Sequence, residues 1–200
     1  MNIDADLAQA FPDTPDHLAV LRERLAAAAD SSGLLDVAYR TVDSPVGPLL
    51  LAATEQGLVR VAFAGEGHDA VLQALSDKIS PRVLHAPARL DAAARELAEY
   101  FAGQRRGFDL QLDWRLSAGF RRTVLNHLPE IGYGHTASYA AVARLAGNPK
   151  AIRAAATACA TNPLPVIVPC HRVVLSDGRI GNYRGGSEAK RTLLTLEEAA

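Results

Sequence analysis

Apolar residues first recur at helical spacing at Leu18, Val20, Leu21 and Leu25, and the run ends in Asp30-Ser31-Ser32-Gly33, a loop composition. This predicts one amphipathic helix and a linker over residues 1–34. From Val37 to Ala64 the pattern shortens to runs such as Leu49-Leu50-Leu51-Ala52 and Leu58-Val59-Arg60-Val61-Ala62-Phe63, broken at Pro45-Val46-Gly47 and Glu55-Gln56-Gly57. Three antiparallel strands joined by hairpins are expected there. Helical spacing returns over 68–79 and 90–101, the second carrying a stripe of Leu90, Ala93, Ala94, Leu97 and Phe101. Strict alternation in Phe108-Asp109-Leu110-Gln111-Leu112-Asp113-Trp114 predicts a further strand.

Beyond that point the chain turns helical and basic. Ser117 reads as the N-cap of a helix running to Leu128, stopped by Pro129 and Gly132. Residues 138–146 form a short helical pattern, Gly147-Asn148 a turn, and Pro149-Lys150-Ala151-Ile152-Arg153 the opening of a second helix with proline in its first turn. On spacing alone this is either a helix-turn-helix or an ordinary helical hairpin. The second helix continues Ala154-Ala155-Ala156-Thr157-Ala158, with Arg153 as its one long cation. Small side chains let a backbone approach another surface closely, as a narrow DNA groove would require. Val166-Ile167-Val168 then predicts a short buried strand.

That strand runs into Pro169-Cys170-His171-Arg172-Val173, where candidate chemistry concentrates. Proline pre-sets a turn, and a cysteine just after it faces the positive end of a peptide dipole, which lowers a thiol pKa. His171 supplies a base and Arg172 a fixed positive charge. In a regular strand Cys170 and His171 would point to opposite faces, so they cooperate only if Pro169 breaks it. A buried structural cysteine remains the alternative at this stage. Only two cysteines occur, Cys159 and Cys170, one disulfide at most and too few for a cysteine-rich zinc site.

The stretch 169–173 resembles the active-site motif of the O6-alkylguanine-DNA alkyltransferases, DNA repair proteins. The resemblance extends through Gly147-Asn148-Pro149-Lys150-Ala151-Ile152-Arg153-Ala154, through Asn162-Pro163-Leu164-Pro165, and through Gly181-Asn182-Tyr183-Arg184-Gly185-Gly186 to Lys190. It covers residues 117–197 strongly. Residues 37–114 look like the family's less distinctive N-terminal domain, and residues 1–34 precede that core, outside the resemblance. The implied fold is α/β: a small antiparallel-sheet, ribonuclease H-like domain over 35–114, then a mostly helical, winged-helix-like domain with a helix-turn-helix over 115–200.

The resemblance also implies roles. Cys170 is the nucleophile that keeps the alkyl group as a thioether, His171 takes the thiol proton, Glu197 orients the histidine, and Tyr139 donates to the departing guanine. Arg153 enters the base stack in place of a flipped nucleotide. Ala154, Asn162 and Arg172 join it as DNA-contacting residues, Asn162 also linking the recognition helix to the active-site turn. Tyr183, Arg184 and Gly185 line the alkyl pocket. Some members carry a small hydroxyl residue where Arg184 stands, which leaves pocket width open. No cofactor or metal is implied; the partner is double-stranded DNA containing O6-alkylguanine, with O4-alkylthymine left open, and the protein is expected to be a monomer without an obligate protein partner. Two rivals stand beside this: a non-enzymatic helix-turn-helix binder, which Cys170 argues against, and a thiol hydrolase, for which no oxyanion hole is evident.

Composition then sharpens the picture. Two hundred residues, 48% hydrophobic with a net charge of −1, describe one large or two small globular domains. Near-neutrality argues against a nucleic-acid partner until it is partitioned. Residues 1–114 hold 10 Lys and Arg against 17 Asp and Glu, whereas residues 115–200 hold 11 against 5. The basic half contains Arg153 and Cys170 and is where phosphates are expected; the acidic half is expected to face away from DNA. No apolar run reaches the roughly 18 residues of a membrane helix, and residues 1–13 are acidic without an apolar leader core, so a cytoplasmic protein is expected.

Overall fold

The computed structural model describes residues 15–198. The acidic segment 1–13 lies outside the described residues. The chain opens with α1 (Pro15–Ser31), followed by β1 (Val37–Val42), β2 (Leu49–Thr54) and β3 (Gly57–Phe63). Next come α2 (His68–Lys78), β4 (Val83–His85) and α3 (Asp91–Phe101). The second half holds α4 (Gly119–His127), β5 (Ala137–Ser138), α5 (Tyr139–Leu145), α6 (Ile152–Ala160), β6 (Val173–Val174) and α7 (Gly186–Glu198). Among the described residues no helix is long and apolar enough to cross a membrane.

The expected antiparallel sheet is present. Its order is β3-β2-β1-β4, with β1–β2 and β2–β3 antiparallel and β4 parallel to β1. Every residue of β2 is buried because both faces of the sheet are covered. Leu50 and Ala52 face one core with Val59, Ala62, Val71 and Leu75, under α2. Leu49 and Leu51 face the other, which runs through Leu97 and Tyr100 of α3 into Val124, Leu125, Val142, Cys159, Leu164 and Leu193 of the second half. One continuous core thus joins the sheet to the helices that carry the site. Gly57 makes a close approach possible: a Cβ there would stand 2.3 Å from the carbonyl oxygen of Gln111.

Several expectations are corrected. Residues 108–114 are not a full strand but a single parallel bridge, Leu58 to Leu112. The Asp113 carboxylate accepts from Thr54 at 2.5 Å and from the Arg115 backbone N–H at 3.0 Å, and Glu96 accepts from the Asp109 N–H at 2.9 Å. Within the segment, Glu96 thereby takes up a backbone N–H that a longer ladder would have used. Ser117 does not cap α4, which starts after Ala118; its hydroxyl is buried without a partner among the described residues. The second helix of the helix-turn-helix begins at Ile152, past Pro149, because Asn148 to Ala151 form a turn closed by Ala151 N–H to the Asn148 carbonyl at 3.0 Å.

The strand expected at 166–168 is a turn. Asn162 Oδ1 accepts from the Leu164 N–H at 2.9 Å, its amide donates to the Val168 carbonyl at 2.9 Å, and Val166 is driven to φ 73°, which costs a β-branched residue roughly 1–3 kcal/mol. The stripe expected to bury α1 points outward: Leu25 is 58% exposed, and Leu18, Val20 and Leu21 are exposed too. The helix docks instead through Ala26 and an Asp30–Arg89 ion pair near its end.

Candidate active site

Two short devices bring the distant site residues together. The two-residue strands β5 and β6 pair in parallel, Ser138 opposite Val174, which sets the start of α5 beside the segment that follows the Cys170–Arg172 turn. Ser138 caps α5, its hydroxyl accepting from the Ala141 N–H at 3.2 Å, so Tyr139 occupies the first helical position. The Asn162 turn then folds the end of α6 back onto the cysteine. Asn162 Nδ2 donates to Cys170 Sγ at 3.1 Å as well as to Val168.

Cys170 is 2% exposed. Burial pushes its thiol up to about 11, with the Asn162 hydrogen bond and the Lys190 charge pulling weakly the other way. The expectation of a dipole-lowered pKa is therefore corrected: a three-residue 3-10 turn offers little dipole against full desolvation. A thiol held neutral at pH 7 needs a base. Proline does break the chain here, since Cys170, His171 and Arg172 lie on a turn rather than a strand.

His171 is completely buried, and its Nε2 stands 2.9 Å from Glu197 Oε1. The same carboxylate accepts from Arg172 Nη2 at 2.9 Å, from Arg172 Nε at 2.9 Å, from the Tyr100 hydroxyl at 2.7 Å and from the Gly134 N–H at 3.3 Å. Burial alone would raise the Glu197 pKa, yet these donors hold it down to about 2. Arg172 can only donate, so Glu197 is a carboxylate and the histidine nitrogen facing it carries the proton. Burial, helped by the Arg172 and Lys190 charges, lowers the His171 pKa although Glu197 pulls it up. His171 is therefore neutral at pH 7, with Nδ1 as its basic nitrogen; Nδ1 is buried without a protein partner among the described residues.

Arg172 was expected among the DNA-contacting residues, and the structure overturns this. Its guanidinium is buried, forked onto Glu197, and its Nη1 donates to the Ile131 carbonyl at 2.6 Å. Asn162, 1% exposed, likewise has no surface to offer a nucleic acid; its hydrogen bonds go to Leu164, Val168 and Cys170. Arg153 and Ala154 are exposed on α6, beside exposed Arg144 and Lys150 around the turn.

The loop after β6 closes the site. A Cβ on Gly181 would lie 3.0 Å from the Tyr139 hydroxyl, and one on Gly185 would enter the Phe63 ring at 2.7 Å. These glycines let the loop close over Tyr139 and settle on β3. Tyr183 stacks edge-on to Phe63 at 5.5 Å between centroids and to His171 at 6.4 Å. Burial raises Tyr139 to about 12, so it is a protonated donor at pH 7. Arg184, on the same loop, places its guanidinium 3.4 Å from Glu66, which also pairs with Arg60, and so ties the loop to the N-terminal domain.

Two buried groups went unread in the sequence. Lys190, fully buried, donates to the Val173 carbonyl at 2.6 Å, and Tyr100 reaches Glu197 from α3. A signal for the first was present: Lys190 and Glu197 lie seven residues apart on the helix side that also carries Leu193, where charges need buried partners.

Comparison with known proteins agrees with this arrangement. Residues 119–199 match the family described as 6-O-methylguanine DNA methyltransferase, DNA binding domain, and residues 37–114 match its ribonuclease-like domain. A methylated-DNA-protein-cysteine methyltransferase of Mycolicibacterium paratuberculosis is 37% identical over 161 residues, covering 80% of this chain and 92% of the relative. The Homo sapiens protein of the same name is 36% identical over 174 residues, covering 78% of each. The crystal structure of the Mycobacterium tuberculosis O6-methylguanine methyltransferase superposes with a TM-score of 0.72 at 37% identity, covering 82% of this chain and 93% of that one. The structure of Mycobacterium tuberculosis OGT in complex with DNA does so with a TM-score of 0.70 at 36% identity, covering 81% and 93%.

Acid should unfold the protein through this cluster. The folded state holds the His171 pKa below its ordinary 6.5 and the Glu197 pKa near 2 against an ordinary 4.5, so both groups bind fewer protons folded than unfolded. Stability is therefore expected to fall below pH 6.5, and to fall further between about pH 4.5 and 2. Glu197→Gln should begin about 3 kcal/mol less stable, because Arg172 loses its buried partner, and should lack the lower component. Urea midpoints measured from pH 7 to pH 3 check this.

Proposed function

The chain belongs to the 6-O-methylguanine DNA methyltransferase family, and from that membership we propose that it repairs DNA by moving the alkyl group of an O6-alkylguanine onto its own Cys170, once per molecule. One observation carries the reading: a buried thiol, anchored by Asn162, is followed in the chain by a histidine whose other nitrogen is committed to Glu197. This supports reading Cys170 as the nucleophile, His171 as the base and Glu197 as the carboxylate that orients it.

In the reaction His171 Nδ1 takes the thiol proton, directly or through a water, as sulfur attacks the alkyl carbon in line with the bond to O6. The S–C bond forms while the C–O6 bond breaks, and the electron pair stays with guanine. Tyr139 donates to the departing ring, offsetting its developing charge, and the imidazolium afterwards gives up its proton to solvent. No metal or organic cofactor is required, because guanine is already a competent leaving group. The product is a thioether at a saturated carbon that neither His171 nor water readily cleaves, so the protein is consumed.

A thiol at the bottom of a buried turn does not reach a base inside a stacked duplex, so the nucleotide must be flipped out. Arg153, exposed on α6, is the side chain we assign to the space it leaves, with Ala154 allowing close approach. Residues 115–200 carry the DNA contacts and the transfer, residues 35–114 form the supporting domain, and residues 1–34 form an extension. Tyr183 and Gly185 border the alkyl pocket. In this reading the protein acts as a monomer in the cytoplasm, and its affinity for DNA is modest and salt-sensitive.

With duplex DNA containing O6-methylguanine, intact-mass and peptide analysis should find one CH₂ added to Cys170 and none elsewhere. Cys170→Ala should bind the same duplex and remain unmodified. Turnover beyond one equivalent, or a modified residue other than Cys170, contradicts the assignment. For the flipping role, Arg153→Ala should slow repair of duplex DNA by about tenfold or more while leaving reaction with free O6-benzylguanine within about twofold of wild type. Equal losses on both substrates would remove Arg153 from that role.

A further inference from the structure

The carboxylate that orients His171 is held by more than its own domain. Tyr100 lies at the C-terminal end of α3, in the ribonuclease-like domain, and is completely buried. Its ring packs against Phe101, Phe108 and Tyr133 at centroid distances of 5.4, 5.2 and 6.1 Å. Its hydroxyl donates at 2.7 Å to Glu197 Oε1, the same oxygen that meets His171 Nε2 at 2.9 Å. A phenol this deeply buried has to donate somewhere, and its one acceptor among the described residues is the atom facing the His171 imidazole.

We infer that Tyr100 is a positioning residue for the transfer at Cys170: its hydroxyl fixes Glu197 Oε1 against His171 and tempers the charge that the imidazole feels. The inference rests on the reading of Cys170 and His171 as nucleophile and base. It gives the N-terminal domain a share in the chemistry, where the family match describes that part only as ribonuclease-like. Tyr100 touches neither substrate nor thiol and acts only through Glu197.

Other groups face the pair from every side. Arg172 and Cys170 stand on the same turn, Tyr133 and Gly134 on the loop before β5, Lys190 on α7 and Tyr183 on the closing loop. None of them changes when Tyr100 becomes phenylalanine, which keeps the ring and removes only the donor. With one donor fewer, the carboxylate retains more negative charge toward His171 and stabilises the imidazolium. Neutral base is then available only at higher pH.

The test is the second-order rate of Cys170 alkylation by free O6-benzylguanine, measured across pH for wild type, Tyr100→Phe, Glu197→Gln and the double variant. Tyr100→Phe is expected to slow the reaction about fivefold on the acid limb, the worth of one ordinary hydrogen bond, and to move that limb to higher pH. DNA affinity should stay unchanged. In the Glu197→Gln background the same substitution should have much less effect. Site-specific 3-fluorotyrosine at position 100, a stronger donor that keeps the hydroxyl, should move the limb the other way. A carboxyl ¹³C titration of Glu197, which needs no activity, should move upward in Tyr100→Phe. An unshifted acid limb, an unshifted Glu197 titration, or an equal loss in the Glu197→Gln background would overturn the inference. Failure of wild type itself to become alkylated counts instead against the reading of Cys170, and is seen before any variant is compared.

Discussion

The Glu197 carboxylate gathers donors from Tyr100 in the N-terminal domain, from the loop at Gly134, and from His171 and Arg172 on the turn after the cysteine. A charge taken out of water is tolerated only when its lone pairs are met, and here both oxygens are met repeatedly. Removing the carboxylate would leave Arg172 charged, buried and unpaired, a loss of about 3–5 kcal/mol for a pair of this kind. The cluster also decides which histidine nitrogen is available. Because Arg172 cannot accept and Glu197 stays ionised, the proton sits on Nε2 and Nδ1 is left unprotonated, as the proposed base must be.

The reactivity of Cys170 follows from this constraint rather than from an acidic thiol. Burial keeps the sulfur protonated at rest, which protects it from adventitious oxidation and alkylation. In the proposed reaction nucleophilicity then depends on proton transfer to a correctly oriented imidazole. Asn162 contributes the complementary restraint, one amide tying the end of α6, the strained Val166 turn and the sulfur together. The segment that places Arg153 on the surface is thus covalently and hydrogen-bond linked to the segment that places the thiol. The glycine loop shuts the third side, with Gly185 seated on the Phe63 ring of the sheet.

What could be read in the sequence divides along physical lines. Strands β1 to β3 were legible because their apolar runs are long and their turns carry glycine at the required positions. The motif around Cys170 and the lone long cation Arg153 were legible in local chemistry, whereas Tyr139, at the first position of its helix, was marked only by the resemblance to the family. The turn at 166–168 was not, since Val-Ile-Val reads as a strand and the Asn162 amide, six residues before Val168, folds it otherwise. Residues 108–114 misled because alternation records burial and not pairing. The three residues of β4 are too few to show a period. Arg172 misled for a related reason: a cation beside a motif looks the same whether it meets a phosphate or an internal carboxylate, and its partner lies 25 positions away. The Tyr100 contact spans 97 positions, and no spacing rule connects the two ends.

The most direct test of this account is the tautomer of His171. Nitrogen-15 spectroscopy of the imidazole at pH 7, in the unalkylated protein, should report a neutral ring with the proton on Nε2, hydrogen-bonded to Glu197, and an unprotonated Nδ1. An imidazolium at that pH, or a ring protonated on Nδ1, would contradict it, because the nitrogen assigned as the base would already hold its proton.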